Sequence, residues 1–390
     1  MTADQVPTRS PASSPVASNL KATLKAEAMR LGFVLAGVAP AVTPPHLETY
    51  HRWLDADQQA GMTYLNSPRH RLGRAHPENI LPGCRSLFVV ALPYPNPARY
   101  TPPPVASGPR GRIAAYAWDE DYHTLIPARL QALLACLPSG CRAAIYTDSA
   151  AILERDFAQL AGLGWIGKNT CLIAPNLGSA FLLAEVLLDI SLEPDPPFLD
   201  DRCGRCQRCI QACPTRCIRP DRTLDASRCL AYQTIENKGS IPPELRPLAG
   251  NWIFGCDMCQ AVCPWNQHLA ATRLPAFPPP EISYPDLRQE LHLSPQAFQQ
   301  KFERTSVLRT RRRGYLRNVA VALGNLQDTS SLPDLVWSLE NEPEPLVRAH
   351  VAWALGQLQH AAARQALATA LARETDPAVR LEIQAALPLT

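Results

Sequence analysis

Between residues 203 and 264 the sequence reads Cys203-x2-Cys206-x2-Cys209-x3-Cys213-Pro214 and then Cys256-x2-Cys259-x3-Cys263-Pro264, with Cys217 and Cys229 between the two runs. Thiolates at this spacing wrap an iron–sulfur cubane. Three close cysteines hold three irons, and the fourth ligand comes from a distance. In two-cluster proteins the last cysteine of each run serves the other cluster. This assigns Cys203, Cys206, Cys209 and Cys263 to one [4Fe–4S] cluster. Cys213, Cys256 and Cys259 belong to a second. The second run lacks one Cys-x2-Cys step, so Cys217 or Cys229 must complete it. Zinc favours two separated Cys-x2-Cys pairs instead. Cys84, Cys136, Cys141 and Cys171 are scattered and read as core thiols.

The rest of the chain divides around this unit. Met1 to Pro15 is rich in Ser and Pro with no apolar run, so residues 1–18 are expected to be disordered and a cytoplasmic location is expected. No membrane span is visible, and thirteen cysteines in a reducing compartment favour metal over disulfides. Residues 19–197 read as α/β: a helix over Leu20–Leu31, strands over Ser86–Leu92, Ala143–Tyr146 and Ser179–Leu188, and a helix over Ala150–Ala161. Residues 198–275 form the cysteine-dense unit. Residues 276–304 read as a linker, and proline runs at Pro102-Pro103-Pro104 and Pro278-Pro279-Pro280 mark connectors. In residues 305–390, Pro345-Leu346-Val347-Arg348 recurs as Pro377-Ala378-Val379-Arg380. Val319, Val351 and Ile383 keep the same register, as do Ala322-Leu323-Gly324 and Ala354-Leu355-Gly356. A helical pair repeating at this period is the mark of a HEAT-like α-solenoid.

Gly162-Leu163-Gly164-Trp165-Ile166-Gly167-Lys168-Asn169 imitates two nucleotide motifs. Both require a preceding strand and a following helix. Here a helix precedes, and Asn169 stands where a phosphate loop needs a hydroxyl. The glycines are expected to bring backbone close to a large flat ligand.

Several of these segments together resemble the epoxyqueuosine reductase family. The carriers are Arg74 with Leu81-Pro82-Gly83, Asp121-Tyr122-His123, Thr147-Asp148-Ser149 with Leu153-Glu154-Arg155, and Gly162-Leu163-Gly164-Trp165 with Gly167-Lys168-Asn169. The cysteine runs, Glu244-Leu245-Arg246-Pro247 and Cys263-Pro264-Trp265-Asn266 complete the set. The resemblance implies a multidomain α/β and α protein: a nitroreductase-like cobalamin domain, a ferredoxin-like 2[4Fe–4S] domain and a HEAT-like tail. It implies Cys229 as the remote ligand of the second cluster. The implied reaction removes the epoxide oxygen of epoxyqueuosine at the wobble position of tRNAs with GUN anticodons (those for Tyr, His, Asn and Asp). A low-potential electron donor and a monomeric enzyme are expected.

Two electrons and two protons are needed, and side chains cannot supply the electrons. The resemblance points to Asp148 as general acid, provided burial raises its carboxyl above the usual ~3.9. From the residues alone, Asp148 or Ser149 could equally cap the helix that follows. Arg74, Asp148, Lys168, Asn169 and Leu172 are the expected cofactor contacts. Asp121-Tyr122-His123 begins the Asp-x-His-x-x-Gly signature of histidine-ligated cobalamin, but Ile126 replaces its Gly. Base-off binding without a histidine ligand is therefore expected. The net charge is only +3, so tRNA contact is expected to concentrate on Arg309, Arg311, Arg312, Arg313 and Arg317. Rival readings are a cobalamin-dependent reductive dehalogenase, whose twin-arginine leader is not seen, and a non-catalytic electron carrier with a partner-binding solenoid.

Overall fold

The computed structural model describes residues 15–99, 108–267 and 281–387. The first fourteen residues and the two proline runs lie outside these. Residues 15–18, expected to be disordered, belong to helix α1 (Pro15–Arg30), and the rest of that expectation falls on residues 1–14, outside the described ones. The first unit continues with β1 (Leu35–Pro40), α2 (Leu47–Asp55), α3 (Pro68–Ala75), β2 (Ser86–Pro93), β3 (Arg112–Ile113) and α4 (Tyr122–Leu133). Then follow β4 (Ala143–Tyr146), α5 (Glu154–Leu160), β5 (Trp165–Ile166), β6 (Leu172–Ile173) and β7 (Phe181–Leu188).

Four strands pair antiparallel in the order β1-β2-β7-β4. β2 lacks polar alternation because both its faces are covered. Phe88, Val90 and Leu92 meet Leu24 and Ala28 of α1 and Ile126, Leu130 and Leu133 of α4. Leu87, Val89 and Ala91 face the other way, onto Phe157 and Ala158 of α5 and onto Ala161. A strand's period of two sends alternate residues to opposite sides. Two-sided burial is the habit of parallel sheets; here helices impose it on an antiparallel one. Each fully buried Leu, Val or Phe contributes roughly 1.5–3 kcal/mol.

The glycine loop follows α5, not a strand, and turns into the β5–β6 hairpin. A Cβ on Gly164 would stand 2.2 Å from the Ile173 carbonyl oxygen. The glycine lets the chain approach itself at this point.

The cysteine-rich unit holds α6 (Arg208–Ala212), α7 (Leu230–Ile235), β8 (Trp252–Phe254), α8 (Met258–Ala261) and α9 (Pro264–Gln267); β8 pairs in parallel with β3. The expected linker at 276–304 is not one throughout. It carries α10 (Leu287–Leu291) and α11 (Pro295–Phe302). Leu287, Leu291, Phe298 and Phe302 are buried in the solenoid core beside Tyr315. Their apolar spacing was masked by the proline-rich stretch before them.

Five helices follow: α12 (Arg311–Leu326), α13 (Leu332–Asn341), α14 (Pro345–Gln357), α15 (Ala361–Arg373) and α16 (Pro377–Ala386). Val319, Val351 and Ile383 are all fully buried, one per repeat. The recurring glycines have a packing cause: a Cβ on Gly324 would reach within 2.9 Å of Ala354 Cα, and one on Gly356 within 2.8 Å of Ala386 Cβ. The recurring arginines have another. Arg348 donates to the carbonyls of Glu342 and Pro343, and Arg380 to those of Leu371 and Glu374. Each satisfies carbonyls where the preceding helix ends.

Candidate active site and iron–sulfur unit

Cys203, Cys206, Cys209 and Cys263 line one cavity of about 380 Å³, together with Asn169, Trp265 and Lys168. The Asn169 Nδ2 is buried there without a partner, a donor of the kind that cluster sulfur accepts. Trp165 Nε1 already reaches Cys203 Sγ at 3.5 Å. The four cysteines brought together are those the spacing assigned to the first cluster. Among the described residues no three His, Cys, Asp or Glu converge on a single metal ion.

Around the second set, Cys217 Sγ lies 3.4 Å from Cys213 Sγ and also bonds to Cys229. Both candidates for the remote ligand are thus near Cys213. Cys217 is buried; Cys229 is half-buried at the start of α7. Cys171, expected as a core thiol, instead hydrogen-bonds to Cys259.

Two expected cofactor contacts are engaged elsewhere. Lys168 Nζ donates to the carbonyls of Gly204 and Cys206, at 2.7 and 2.9 Å, and so braces the first cysteine loop. Leu172 is buried in the core beside Leu163 and Phe181 and serves packing. In both cases the tertiary partner, invisible in the sequence, decided the role.

Asp148 follows the end of β4. Its φ is +55°, and Thr147 Oγ1 anchors the turn to the Leu183 carbonyl at 2.8 Å. Asp148 does not cap α5, whose N-cap position is Leu153 without a side-chain bond. Its carboxylate keeps 59% of its surface open. Tyr122 OH donates to Asp148 Oδ2 at 3.0 Å, and His123 Nε2 lies 3.3 Å from the same oxygen. His123 Nδ1 is 2.8 Å from Asp121 Oδ1, and Asp121 also caps α4. The Asp-Tyr-His triplet thus opens a helix aimed at Asp148.

The proton balance differs from the expectation. The packed surroundings push the Asp148 carboxyl up. The His123 hydrogen bond and charge, the Tyr122 hydroxyl and the Arg309 charge outweigh this and leave it below the ordinary value. His123 moves up, chiefly through its bond to Asp148, against desolvation and with help from Asp121. Of the two, the histidine therefore holds the proton more readily than the carboxylate.

Other groups complete the surroundings. Arg74 is buried over the Tyr50 ring, donates to the Ala150 carbonyl and keeps Nη1 without a partner. Glu154 Oε1 accepts the Asp148 N–H. Glu185 of β7 is fully buried, and neither carboxylate oxygen has a partner. Sequence reading missed Glu154 and Glu185 as site residues. The signal for Glu185 was one acid inside the apolar run Phe181-Leu182-Leu183-Ala184-Glu185-Val186.

The expected arginine patch separates into two groups. Arg317 is fully buried and donates to the carbonyls of Gln233, Asn237 and Gly239. Arg312 forms a two-point pair with the buried Glu342 and donates to the Leu293 carbonyl. Arg312 braces the helical tail and Arg317 ties α12 to the cysteine-rich unit, and both are occupied by these partners. Arg309 pairs with Glu236. Arg311 is exposed and Arg313 half-buried.

Comparison with known proteins fits this layout. Residues 74–149 match the family model described as Epoxyqueuosine reductase QueG, DUF1730, residues 202–266 a 4Fe-4S double cluster binding domain, and residues 305–388 HEAT repeats. The epoxyqueuosine reductase of Pseudomonas aeruginosa is 37% identical over 328 residues, covering 82% of this chain and 90% of that protein. That of Escherichia coli is 36% identical, covering 83% and 85%. A crystal structure of epoxyqueuosine reductase with an epoxyqueuosine-modified tRNA-Tyr stem loop is 31% identical. It superimposes with a TM-score of 0.86 over 95% of this chain and 98% of that one. A Bacillus subtilis epoxyqueuosine reductase structure with its catalytic loop swung out of the active site matches with a TM-score of 0.86, 31% identity and 95% and 99% coverage.

Proposed function

Since the chain belongs to the epoxyqueuosine reductase family and reduces epoxyqueuosine in tRNA, we propose that Asp148 and His123 together deliver the first of the two protons that the reaction consumes, the one taken by the alkoxide. The observation that carries this is the Asp121–His123–Asp148 chain, with Tyr122 on the same Asp148 oxygen. Opening an epoxide leaves an alkoxide that must be protonated. Asp148, whose carboxylate is the most open of the three acids and bases in this hydrogen-bonded chain, is the member that would meet the substrate. His123 holds the proton at Nε2, and Asp121 fixes the ring through Nδ1. A general acid at hydrogen-bond reach contributes typically 10²–10⁴-fold.

The α/β unit is our candidate for a nitroreductase-like cobalamin domain. The residues beside Asp148 fit such a cofactor. Arg74 Nη1 is a buried donor lacking an acceptor, and a corrin carries amide oxygens. Both nitrogens of His123 are occupied by carboxylates, which supports base-off binding without a histidine ligand. When bound, cobalamin supplies the strongly reducing nucleophile that no side chain provides, with the two clusters as its electron supply. Cys203, Cys206, Cys209 and Cys263 would hold one cluster, and Cys213, Cys229, Cys256 and Cys259 the other. A low-potential donor would feed them. Arg311 and Arg313 remain as candidates for tRNA phosphate contact, and tRNAs carrying the modified base at the wobble position are the proposed substrates.

The test is anaerobic turnover of epoxyqueuosine-containing tRNA with and without added cobalamin. Conversion to queuosine that requires cobalamin, with a cobalamin absorption spectrum retained on the protein, supports the reading. Full conversion without it removes cobalamin from the account.

A further inference from the structure

The Asp148 turn is held from behind by a residue that does not face the substrate side. Asp148 sits at φ +55°, a region that non-glycine residues occupy only when their surroundings hold them there. Thr147 is tied to β7 through its side chain, and Ser149 N–H bonds to the Thr147 carbonyl at 2.5 Å. The Asp148 N–H has a different partner. It donates to Glu154 Oε1 at 2.5 Å, across the turn that joins β4 to α5.

We propose that Glu154 is a positioning residue: its carboxylate latches the Asp148 N–H, and this holds the Asp148 carboxylate against Tyr122 and His123 in the orientation that delivers the proton. This inference rests on the role proposed for Asp148. The latch is charge-assisted while Glu154 is ionised, and such bonds are roughly twice as strong as neutral ones. Behind it stands Glu185 of β7, opposite Tyr146 of β4 and fully buried with no partner on either oxygen. A carboxyl with no donor in reach keeps its proton, so Glu154 is the member of the pair that can carry the charge.

The surroundings set when it does so. The groups facing Glu154 are Asp148 after β4, Arg74 of α3, Tyr122 of α4, Glu185 of β7 and Arg155 of its own helix. Burial first and the Asp148 charge second push Glu154 up to about 7, against the Asp148 N–H, Arg155 and Arg74. Burial likewise holds Glu185 well above the carboxylate range. Above that point the latch is an anion and closed. As the pH falls through it, Glu154 takes up a proton and the latch weakens, so turnover acquires a loss on the acid side.

The experiment compares kcat and KM for an epoxyqueuosine-modified tRNA stem loop in wild type, Glu154→Gln, Glu154→Ala and Asp148→Asn across the neutral pH range. Iron content and bound cobalamin are measured for each. Glu154→Ala should lower kcat by roughly 10- to 10²-fold, the scale of a misplaced catalytic group, with KM near that of wild type. Glu154→Gln keeps a neutral acceptor oxygen, as protonated Glu154 does, and should hold kcat near the wild-type acid-side level at every pH, above that of Glu154→Ala and with no acid-side limb. Wild-type kcat in Glu154→Ala, or an unchanged acid limb in Glu154→Gln, overturns the latch. Should Glu154→Ala lose its clusters, the Glu154→Gln profile decides alone, in the same two directions. Wild-type turnover in Asp148→Asn overturns the acid role and the latch together. Its loss alongside an unaffected Glu154→Ala overturns the latch only.

Discussion

His123 Nε2 lies 3.3 Å from Asp148 Oδ2, the same oxygen that accepts the Tyr122 hydroxyl. The pair shares one transferable proton. Asp148→Asn keeps size and polarity but cannot pass a proton on, and should lose about 10²–10⁴-fold in turnover at saturating tRNA. Clusters and cobalamin loading should be unchanged. Near-wild-type turnover would place the acid elsewhere.

The pH dependence follows from the direction of the His123 shift. Its pKa is raised by the bond to Asp148, so the proton persists to higher pH than on a free imidazole. Turnover should fall as pH rises through that raised value, an alkaline limb separate from the acid-side loss set by Glu154. In His123→Gln that alkaline limb should vanish, leaving a lower and flatter profile, measured as kcat against pH. An alkaline limb unchanged in His123→Gln would show that another group holds the proton.

What could be read from the sequence was local. Thiolate spacing fixed which cysteines share the first cavity, because three ligands of a cubane must be near neighbours. The repeat register of Val319, Val351 and Ile383 was legible because each solenoid helix buries the same stripe. Lys168, Leu172, Arg312 and Arg317 meet partners that the sequence did not announce, for one physical reason. A charge run or an apolar residue in sequence carries no sign of the carbonyls or core it will meet. Arg317 shows this most plainly: its three carbonyl partners come from residues 233–239. Glu154 was visible as a motif residue, but its reach back to Asp148 depends on the turn between β4 and α5.

The remote ligand of the second cluster is open to a direct count. Cys217 and Cys229 both stand near Cys213. With Cys229 as ligand, Cys229→Ser should lose about half of the roughly eight irons expected for two cubanes, and Cys217→Ser should lose none. Iron and acid-labile sulfide after anaerobic reconstitution give the answer. The reverse pattern would move the ligand to Cys217.

The two kinds of arginine should separate in binding and in stability. Neutralising Arg311 and Arg313 should weaken tRNA binding and flatten its salt dependence by about one unit per lost phosphate contact, with the unfolding midpoint unchanged. Arg317→Ala should instead destabilise the fold. It strips donors from buried carbonyls, and each one left unpaired costs about 1–3 kcal/mol. Salt-dependent binding and denaturant unfolding on both proteins test this. An unaltered salt slope in the Arg311 and Arg313 variant would return those arginines to a solvated face.

Two glycines of one helix should respond in opposite directions. Gly314 and Gly324 both lie in α12. A Cβ at Gly314 meets nothing closer than Thr310 Cβ at 3.7 Å, whereas at Gly324 it would stand 2.7 Å from Trp353 Cζ3 and 2.9 Å from Ala354 Cα. Where a helical Cβ fits at ordinary van der Waals distance, replacing Gly by Ala removes backbone entropy from the unfolded chain and stabilises by roughly 0.5–1 kcal/mol. At the Gly324 contact the neighbour includes backbone of the next repeat, which cannot step aside without parting α12 from α14. Overpacking of this kind typically costs about 1–3 kcal/mol. Gly314→Ala should therefore raise the denaturation midpoint and Gly324→Ala lower it, with cluster content equal in both. If Gly324→Ala proved as stable as wild type, the close approach of α12 and α14 would not be the reason that glycine recurs in the repeat.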